Sequence, residues 1–156
     1  MTRPLATVSV IFPTYNRSDV VRTTIERFLA QDYPAGQLEI LVADNSTDDT
    51  PEMVREIGRN SAFPVRLLSS TERLPAVKRN QALRAAEGDL VIFMNDDVWV
   101  GPDFVATHVA AHAQFAEPVA VVGHVEQSPE MPPTPFIEWY RPFAYDEIAD
   151  LSLIHI

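Results

Sequence analysis

Short apolar segments alternate with segments of helical periodicity along most of the chain. The apolar segments are residues 6–12, 38–43, 65–68, 90–94 and 118–125. The helical segments are residues 18–29, 50–58, 76–86 and 102–115, with Ser18 and Thr50 as the predicted N-caps of the first two. Strands separated by helices of this length require crossover connections, which join parallel strands. The pattern therefore predicts an α/β fold with a mostly parallel sheet flanked by helices.

The chain has a negative net charge that is unevenly distributed along the sequence. The 156 residues include 12 basic and 22 acidic side chains, so the net charge is −10, which argues against nonspecific binding to nucleic acid. From residue 85 onward there are 12 acidic residues and only one basic residue, Arg141. An anionic substrate bound in this half would need another source of positive charge, and a divalent cation held by carboxylates is the simplest one. The chain has no cysteine, which excludes disulfides and thiolate metal sites.

Three polar clusters directly follow predicted strands. They are Pro13-Thr14-Tyr15-Asn16, Asp44-Asn45-Ser46 and Asn95-Asp96-Asp97. In an open parallel sheet, ligands bind beyond the carboxyl ends of the strands, so we expect these clusters to share one edge. The first glycine is Gly36 and no Gly-Lys pair exists, which excludes a glycine-rich dinucleotide turn and a P-loop.

Each of these residues has an ordinary structural explanation beside a functional one. Asp96 and Asp97 suit Mg²⁺ or Mn²⁺, but two aspartates also turn a chain, and the residues alone favour neither reading. Asp44 fits a nucleobase imide or a turn, and the Tyr15 ring fits base stacking or rim packing. Arg73 and Lys78 are candidate phosphate contacts or members of a solvated helix face.

Two histidines, His108 and His112, lie four residues apart on a predicted helix. The residue after His108 is valine, so the pattern HExxH of zinc enzymes is not met. We expect both histidines on the surface. Five prolines between residues 129 and 142 predict an irregular arm, which is rich in aromatic residues.

Three blocks of sequence carry a family resemblance. VSVIFPTYNR (8–17), ILVADNSTDDT (40–50) and RNQALRAAEGDLVIFMNDD (79–97) closely resemble the nucleotide-sugar-binding half of family 2 glycosyltransferases, which have the GT-A fold. The resemblance covers roughly the first 125 residues. It implies a nucleotide-sugar-binding α/β domain at residues 1–128, followed at 129–156 by a proline- and aromatic-rich arm that starts an incomplete acceptor region.

The resemblance also implies roles for individual residues. Asp97 would coordinate Mn²⁺ or Mg²⁺, as the last acid of a DXD-type motif whose first position is here Asn95. The implied nucleotide-binding residues are Tyr15 near a uracil ring, Pro13 and Thr14 bordering the base, Asp44 at the base imide, Asp96 near the ribose, and Arg73 and Lys78. The pair of acids that the family carries after the second strand is Ala43-Asp44 in this chain.

The implied reaction transfers a sugar from a nucleoside diphosphate sugar, with UDP-sugar favoured, to an acceptor hydroxyl with inversion at the anomeric carbon. The acceptor is a glycan, a lipid or another hydroxyl compound, and no residue matches the family's base carboxylate, so no catalytic residue is assigned. The chain looks truncated relative to the family. The alternative is a noncatalytic nucleotide-binding or interaction module that lacks the acceptor half.

Location and assembly follow from weaker indications. No apolar run approaches the length of a membrane span, and the apolar N-terminal stretch ends at Pro13 without a cleavage site. We expect a cytoplasmic protein, with peripheral attachment to a membrane as the open alternative. Exposed aromatic residues of the arm would support a homo-oligomer.

Overall fold

The computed structural model describes residues 5–125, 134–141 and 153–155. The strands are β1 Val8–Thr14, β2 Leu38–Asp44, β3 Val65–Ser69, β4 Leu90–Phe93, β5 Val119–Val121 and β6 Leu153–His155. The helices are α1 Ser18–Leu29, α2 Thr50–Asn60, α3 Pro75–Ala85, α4 Phe104–His112 and α5 Pro135–Arg141. Two compact units divide the chain, residues 1–106 and 107–156.

The first unit contains a four-stranded sheet with the order β3-β2-β1-β4. All three strand pairs are parallel, and β1 lies in the middle with β2 and β4 on its two sides. The predicted α/β fold with a parallel sheet is confirmed. Every residue of β1 and β2 is buried, as expected for strands covered on both faces.

Helices cover both faces of this sheet. Successive side chains of β1 point to opposite faces, so neighbouring residues contact different helices. Ile11 belongs to a cluster of buried residues that includes Ala82 of α3. Its neighbour Phe12 packs against Phe28 of α1, with ring centroids 6.2 Å apart, and Phe28 in turn contacts Phe104 edge-on at 6.0 Å. The strand β1 therefore packs against α3 through Ile11 and against α1 through Phe12.

The helix boundaries differ from the predicted ones by at most three residues. Arg17 and Asp49 occupy the N-cap positions of α1 and α2, so the predicted caps Ser18 and Thr50 are the first helical residues. The cap of α2 is assisted from one residue further upstream, since Asp48 Oδ1 accepts the Thr50 N–H at 3.0 Å. Helix ends are the least sharply encoded part of a helical pattern.

The second unit pairs β5 with β6 in an antiparallel ladder. The arm predicted to be irregular contains the helix α5, so that prediction is wrong for residues 135–141. His108 was expected on the surface, but it is only 9% exposed, and burial lowers its pKa. Within the described residues, no helix is long and apolar enough to cross a membrane.

Candidate functional site

The carboxyl ends of β1, β2 and β4 form one edge of the sheet. The register sets Thr14 opposite Asp44 and Ile11 opposite Phe93. Because β1 separates β2 from β4, the residues that follow the three strands lie around the end of β1. The geometry brings together the three polar clusters expected at this edge.

The pairing between β1 and β4 ends before the carboxyl end of β1, at Ile11 and Phe93. Met94 donates its backbone N–H to the Ile11 carbonyl at 2.8 Å, and β4 ends at Phe93. Pro13 has the same strand orientation as Ile11, so its missing N–H would have pointed toward β4, beyond the end of that strand. Pro13 therefore leaves no ladder hydrogen bond unmade, and the two strands separate at the point where ligands bind in such sheets.

Asp96 is held in place by two threonines. Its side chain is 11% exposed, and Thr14 Oγ1 donates to Asp96 Oδ2 at 2.8 Å. Thr24 of α1 donates from its hydroxyl to the Asp96 carbonyl at 2.7 Å, which fixes the backbone after β4. The buried carboxylate is thus oriented by hydrogen bonds on its side chain and its main chain.

Arg17 joins the two aspartates. Its Nη1 lies 3.1 Å from Asp96 Oδ1 and 3.0 Å from Asp97 Oδ2, while half of the Arg17 side chain is exposed to solvent. The hydrogen bond with Asp97 and the charge of Asp96 raise the pKa of Arg17. One cation therefore holds two carboxylate oxygens from neighbouring residues at a partly exposed position.

Lys78 supplies a second positive charge, which is buried. The residue is only 2% exposed, and its Nζ donates to the Thr14 carbonyl at 2.6 Å. Burial lowers the pKa of Lys78, and the charges of Asp44 and Asp96 raise it in part. The ammonium group also lies 5.7 Å from the centroid of the Tyr15 ring. Lys78 thus acts as an internal counter-charge beneath the edge of the sheet.

Asp44 is a buried carboxylate with one oxygen already engaged. Its Oδ1 accepts the Ser46 backbone N–H at 3.0 Å and the Ser46 hydroxyl. Among the described residues, Asp44 Oδ2 accepts no hydrogen bond. Ser46 also accepts the Asn16 N–H at 2.7 Å, which ties this loop to the turn after β1. Asn16 takes the left-handed φ of 50° that asparagine tolerates in tight turns.

The remaining predicted residues are exposed. Tyr15 is 46% exposed, which leaves part of its side chain available for stacking. Arg73 lies in the exposed loop between β3 and α3, and among the described residues it forms no ion pair with the acids at this edge. The structure therefore places Pro13, Thr14, Tyr15, Asp44, Lys78, Asp96 and Asp97 at one edge and leaves Arg73 on its own loop.

The carboxylates at this edge fit a divalent cation only in part. They converge on one cationic group, Arg17, and hard oxygen atoms are the ligands that Mg²⁺ and Mn²⁺ prefer. However, the described residues contain no group of three histidine, aspartate or glutamate side chains able to hold a metal. A metal here needs further oxygen ligands, and Mg²⁺ sites commonly take them from substrate phosphates and water.

A comparison with known families identifies the family of this chain. The profile of "Glycosyl transferase family 2" matches residues 9–150 and therefore includes every strand end described above. The chain belongs to glycosyl transferase family 2. The family resemblance, the GT-A architecture and the assignment to the glycosyltransferases are confirmed by this match and by the relatives.

Individual relatives of this family 2 chain are similar over part of their length. The poly(ribitol-phosphate) beta-N-acetylglucosaminyltransferase TarS of Staphylococcus aureus is 32% identical over 96 residues, 61% of this chain and 17% of TarS. Validoxylamine A glucosyltransferase of Streptomyces hygroscopicus is 31% identical over 74% of this chain and 28% of that protein. The chain spans less than two fifths of the length of these relatives.

Solved structures with the same fold include two nucleotide-sugar complexes. The mannosyltransferase PcManGT of Pyrobaculum calidifontis, in complex with GDP-Man and Mn²⁺, has a TM-score of 0.70 and 34% identity over 78% of this chain and 36% of that one. TarS 1-349 in complex with UDP-GlcNAc has a TM-score of 0.70 and 26% identity over 82% of this chain and 37% of that one. Relatives of this family 2 chain thus bind different nucleobases.

Three residues of the site had no role assigned from the sequence. Arg17 is part of the block VSVIFPTYNR, and an arginine directly after a strand-end cluster was a usable signal. Ser46 follows Asp44 by two residues, the spacing at which an aspartate accepts a backbone hydrogen bond. Thr24 offers no such signal, because its contact with the Asp96 carbonyl spans 72 residues and depends on how α1 packs.

Proposed function

We propose that this chain is the donor-binding part of a glycosyltransferase that transfers a sugar from a nucleoside diphosphate sugar to an acceptor hydroxyl with inversion. The observation that carries the proposal is the convergence of Asp44, Asp96 and Asp97 at one sheet edge, beside an exposed Tyr15 ring. Membership of family 2 supports the reaction class. UDP-sugar is the favoured donor.

The base would bind between the Tyr15 ring and the Asp44 carboxylate. Tyr15 offers an exposed aromatic face, and Asp44 Oδ2 is available to accept an N–H from a base. Uracil carries a single imide N–H, which matches one available carboxylate oxygen. Thr14 and Pro13 would border the base, and the buried Lys78 would place its positive charge near the Asp44 carboxylate.

The diphosphate would lie near the two aspartates and the metal. Asp97 is half exposed and would coordinate Mn²⁺ or Mg²⁺, whereas both oxygens of Asp96 already have partners. When bound, the metal would supply positive charge against the charge that develops on the leaving diphosphate. Asp96 would contact the ribose from its fixed position. Deprotonation of the acceptor is assigned to no residue of this chain.

The test is equilibrium binding of UDP to the 156-residue chain, measured by calorimetry with and without Mn²⁺. Removing the metal ligand with Asp97→Ala should reduce the effect of Mn²⁺ on UDP affinity at least tenfold, or about 1.4 kcal/mol. Asp32→Ala is the matched control, because Asp32 is an exposed aspartate that follows the other end of α1.

The outcomes separate the assignments. An equal effect of Mn²⁺ in the wild type and in Asp97→Ala would remove Asp97 from the metal site. Absence of nucleotide binding in a folded wild-type chain would contradict the donor site itself. Binding of UDP without sugar transfer or donor hydrolysis would favour the noncatalytic module.

A further inference from the structure

Arg17 occupies the position where the two aspartates meet, and the proposed donor site needs that position for another cation. Its Nη1 lies within 3.1 Å of both Asp96 and Asp97. The half-exposed side chain of Arg17 extends from the turn between β1 and α1, and within the described part of the chain its guanidinium bonds to these two acids. A divalent cation that takes an Asp97 oxygen competes directly with this guanidinium.

We propose that Arg17 is an internal counter-cation of the donor site, which neutralises Asp96 and Asp97 before the metal binds and makes Mn²⁺ affinity depend on the nucleotide diphosphate. The proposal rests on the proposed function, because it takes Asp97 as a metal ligand. Arg17 is a positioning residue here. Its role is to set the order and the cooperativity with which metal and nucleotide bind.

The electrostatics give the direction of the effect. Without Arg17, Asp96 and Asp97 are two adjacent negative charges, and such a pair attracts a divalent cation. Positive charges that remain nearby include the buried Lys78 and Arg79, which binds the Asn95 side chain at 2.7 Å. With Arg17 in place, Mn²⁺ alone must displace an ion pair to reach Asp97. The Arg17–Asp97 pair is half exposed on both sides, and such pairs are worth little, whereas the Arg17–Asp96 pair is partly buried. The two pairs together weaken the binding of Mn²⁺ alone by about three- to tenfold.

The diphosphate changes this balance by providing a new partner for the arginine. A guanidinium binds phosphate oxygens through two parallel hydrogen bonds, so a displaced Arg17 need not lose its ionic partner. Displacement then becomes favourable when the nucleotide is present. By thermodynamic linkage, UDP should raise the affinity for Mn²⁺ by the same factor as Mn²⁺ raises the affinity for UDP.

The experiment titrates Mn²⁺ into the 156-residue chain, with the free ion measured by electron paramagnetic resonance, in the absence and in the presence of saturating UDP. Arg17→Ala should bind Mn²⁺ alone about three- to tenfold more tightly than the wild type. Saturating UDP should raise the Mn²⁺ affinity of this variant by a smaller factor than it raises that of the wild type. Arg17→Lys, which keeps the charge, should restore most of the wild-type behaviour. Arg55→Ala removes the same charge from an exposed pair on α2 and is the matched control.

The results distinguish this inference from the proposed function. If the wild type binds Mn²⁺ with UDP but Arg17→Ala has unchanged affinity for Mn²⁺ alone, the counter-cation role is wrong and the donor site stands. An equal change in Arg55→Ala would also overturn it, because the effect would then be one of net charge. If the wild type binds neither Mn²⁺ nor UDP while circular dichroism shows a folded chain, both proposals fail.

Discussion

The substitution Asp44→Asn tests the proposed base-reading site through a change of hydrogen-bond polarity. Oδ1 of Asp44 accepts the Ser46 backbone N–H at 3.0 Å. An asparagine must place its carbonyl oxygen there, because its amide nitrogen cannot accept that hydrogen bond. The amide NH₂ then takes the place of Oδ2, so a donor stands where the base presents its imide N–H.

The magnitude follows from the bond that is lost. A hydrogen bond to a charged group contributes about 1.5–3 kcal/mol, which corresponds to about a 10- to 150-fold loss of UDP affinity. The repulsion between two N–H donors adds to this loss. Cytosine carries an acceptor nitrogen in place of the uracil imide N–H, so it can accept a hydrogen bond from the new amide. The affinity for CDP should therefore rise while the affinity for UDP falls, and the preference for UDP over CDP should reverse.

Calorimetric titration of the wild type and of Asp44→Asn with UDP and CDP, both in the presence of Mn²⁺, measures the reversal. Ser46→Ala is a useful companion, since it keeps the Asp44 charge and the backbone hydrogen bond and removes only the Ser46 hydroxyl. The reasoning is refuted if Asp44→Asn retains the wild-type preference for UDP. It is also refuted if UDP and CDP lose affinity equally, because Asp44 would then support the site without reading the base.

Two further predictions concern the scaffold beneath the site. A Cβ on Gly88 would lie 2.5 Å from the Ser9 backbone nitrogen, so Gly88→Ala should lower the free energy of unfolding by about 1–3 kcal/mol in urea denaturation. Gly101→Ala, whose Cβ meets a side-chain oxygen at 3.2 Å, should have a smaller effect. Burial alone would raise the pKa of Glu39, but hydrogen bonds, including those from Ser9 and Arg66, outweigh it and lower the pKa from its ordinary value of 4.5. The resulting stabilisation is complete above pH 4.5 and is lost as the pH falls through the lower, folded-state pKa, so Glu39→Gln should flatten the acid limb of the stability profile and reduce stability at pH 7.

The sheet was predictable because its strands are apolar on both faces. Residues 90–94 give a continuous apolar run, and residues 38–43 give an apolar run interrupted only by Glu39. The strands β2 and β4 formed there with ends shifted by a single residue. The helix α4 shows the limit of this approach. Its sequence FVATHVAAH is apolar around most of the helix, so periodicity could not identify the buried face that contains His108.

The candidate site was predictable where it depends on topology and not where it depends on packing. Parallel strands place their carboxyl ends at one edge, which brought Asp44 and Asp96 together as expected. The partners of those acids come from side-chain orientation, which a linear pattern does not contain. Lys78 therefore turned out to be buried against the Thr14 carbonyl, and Arg17 became visible as the bridge between the aspartates only in three dimensions.

The central claim is that the three strand ends form one nucleotide diphosphate site. Its most direct test is a crystal structure of the 156-residue chain with UDP and Mn²⁺, with the metal located by its anomalous scattering. The account predicts an anomalous peak beside Asp97, a uracil ring against Tyr15 with its N–H directed at Asp44, and Arg17 released from Asp97. Nucleotide bound away from this edge, or Mn²⁺ bound at other carboxylates, would contradict it.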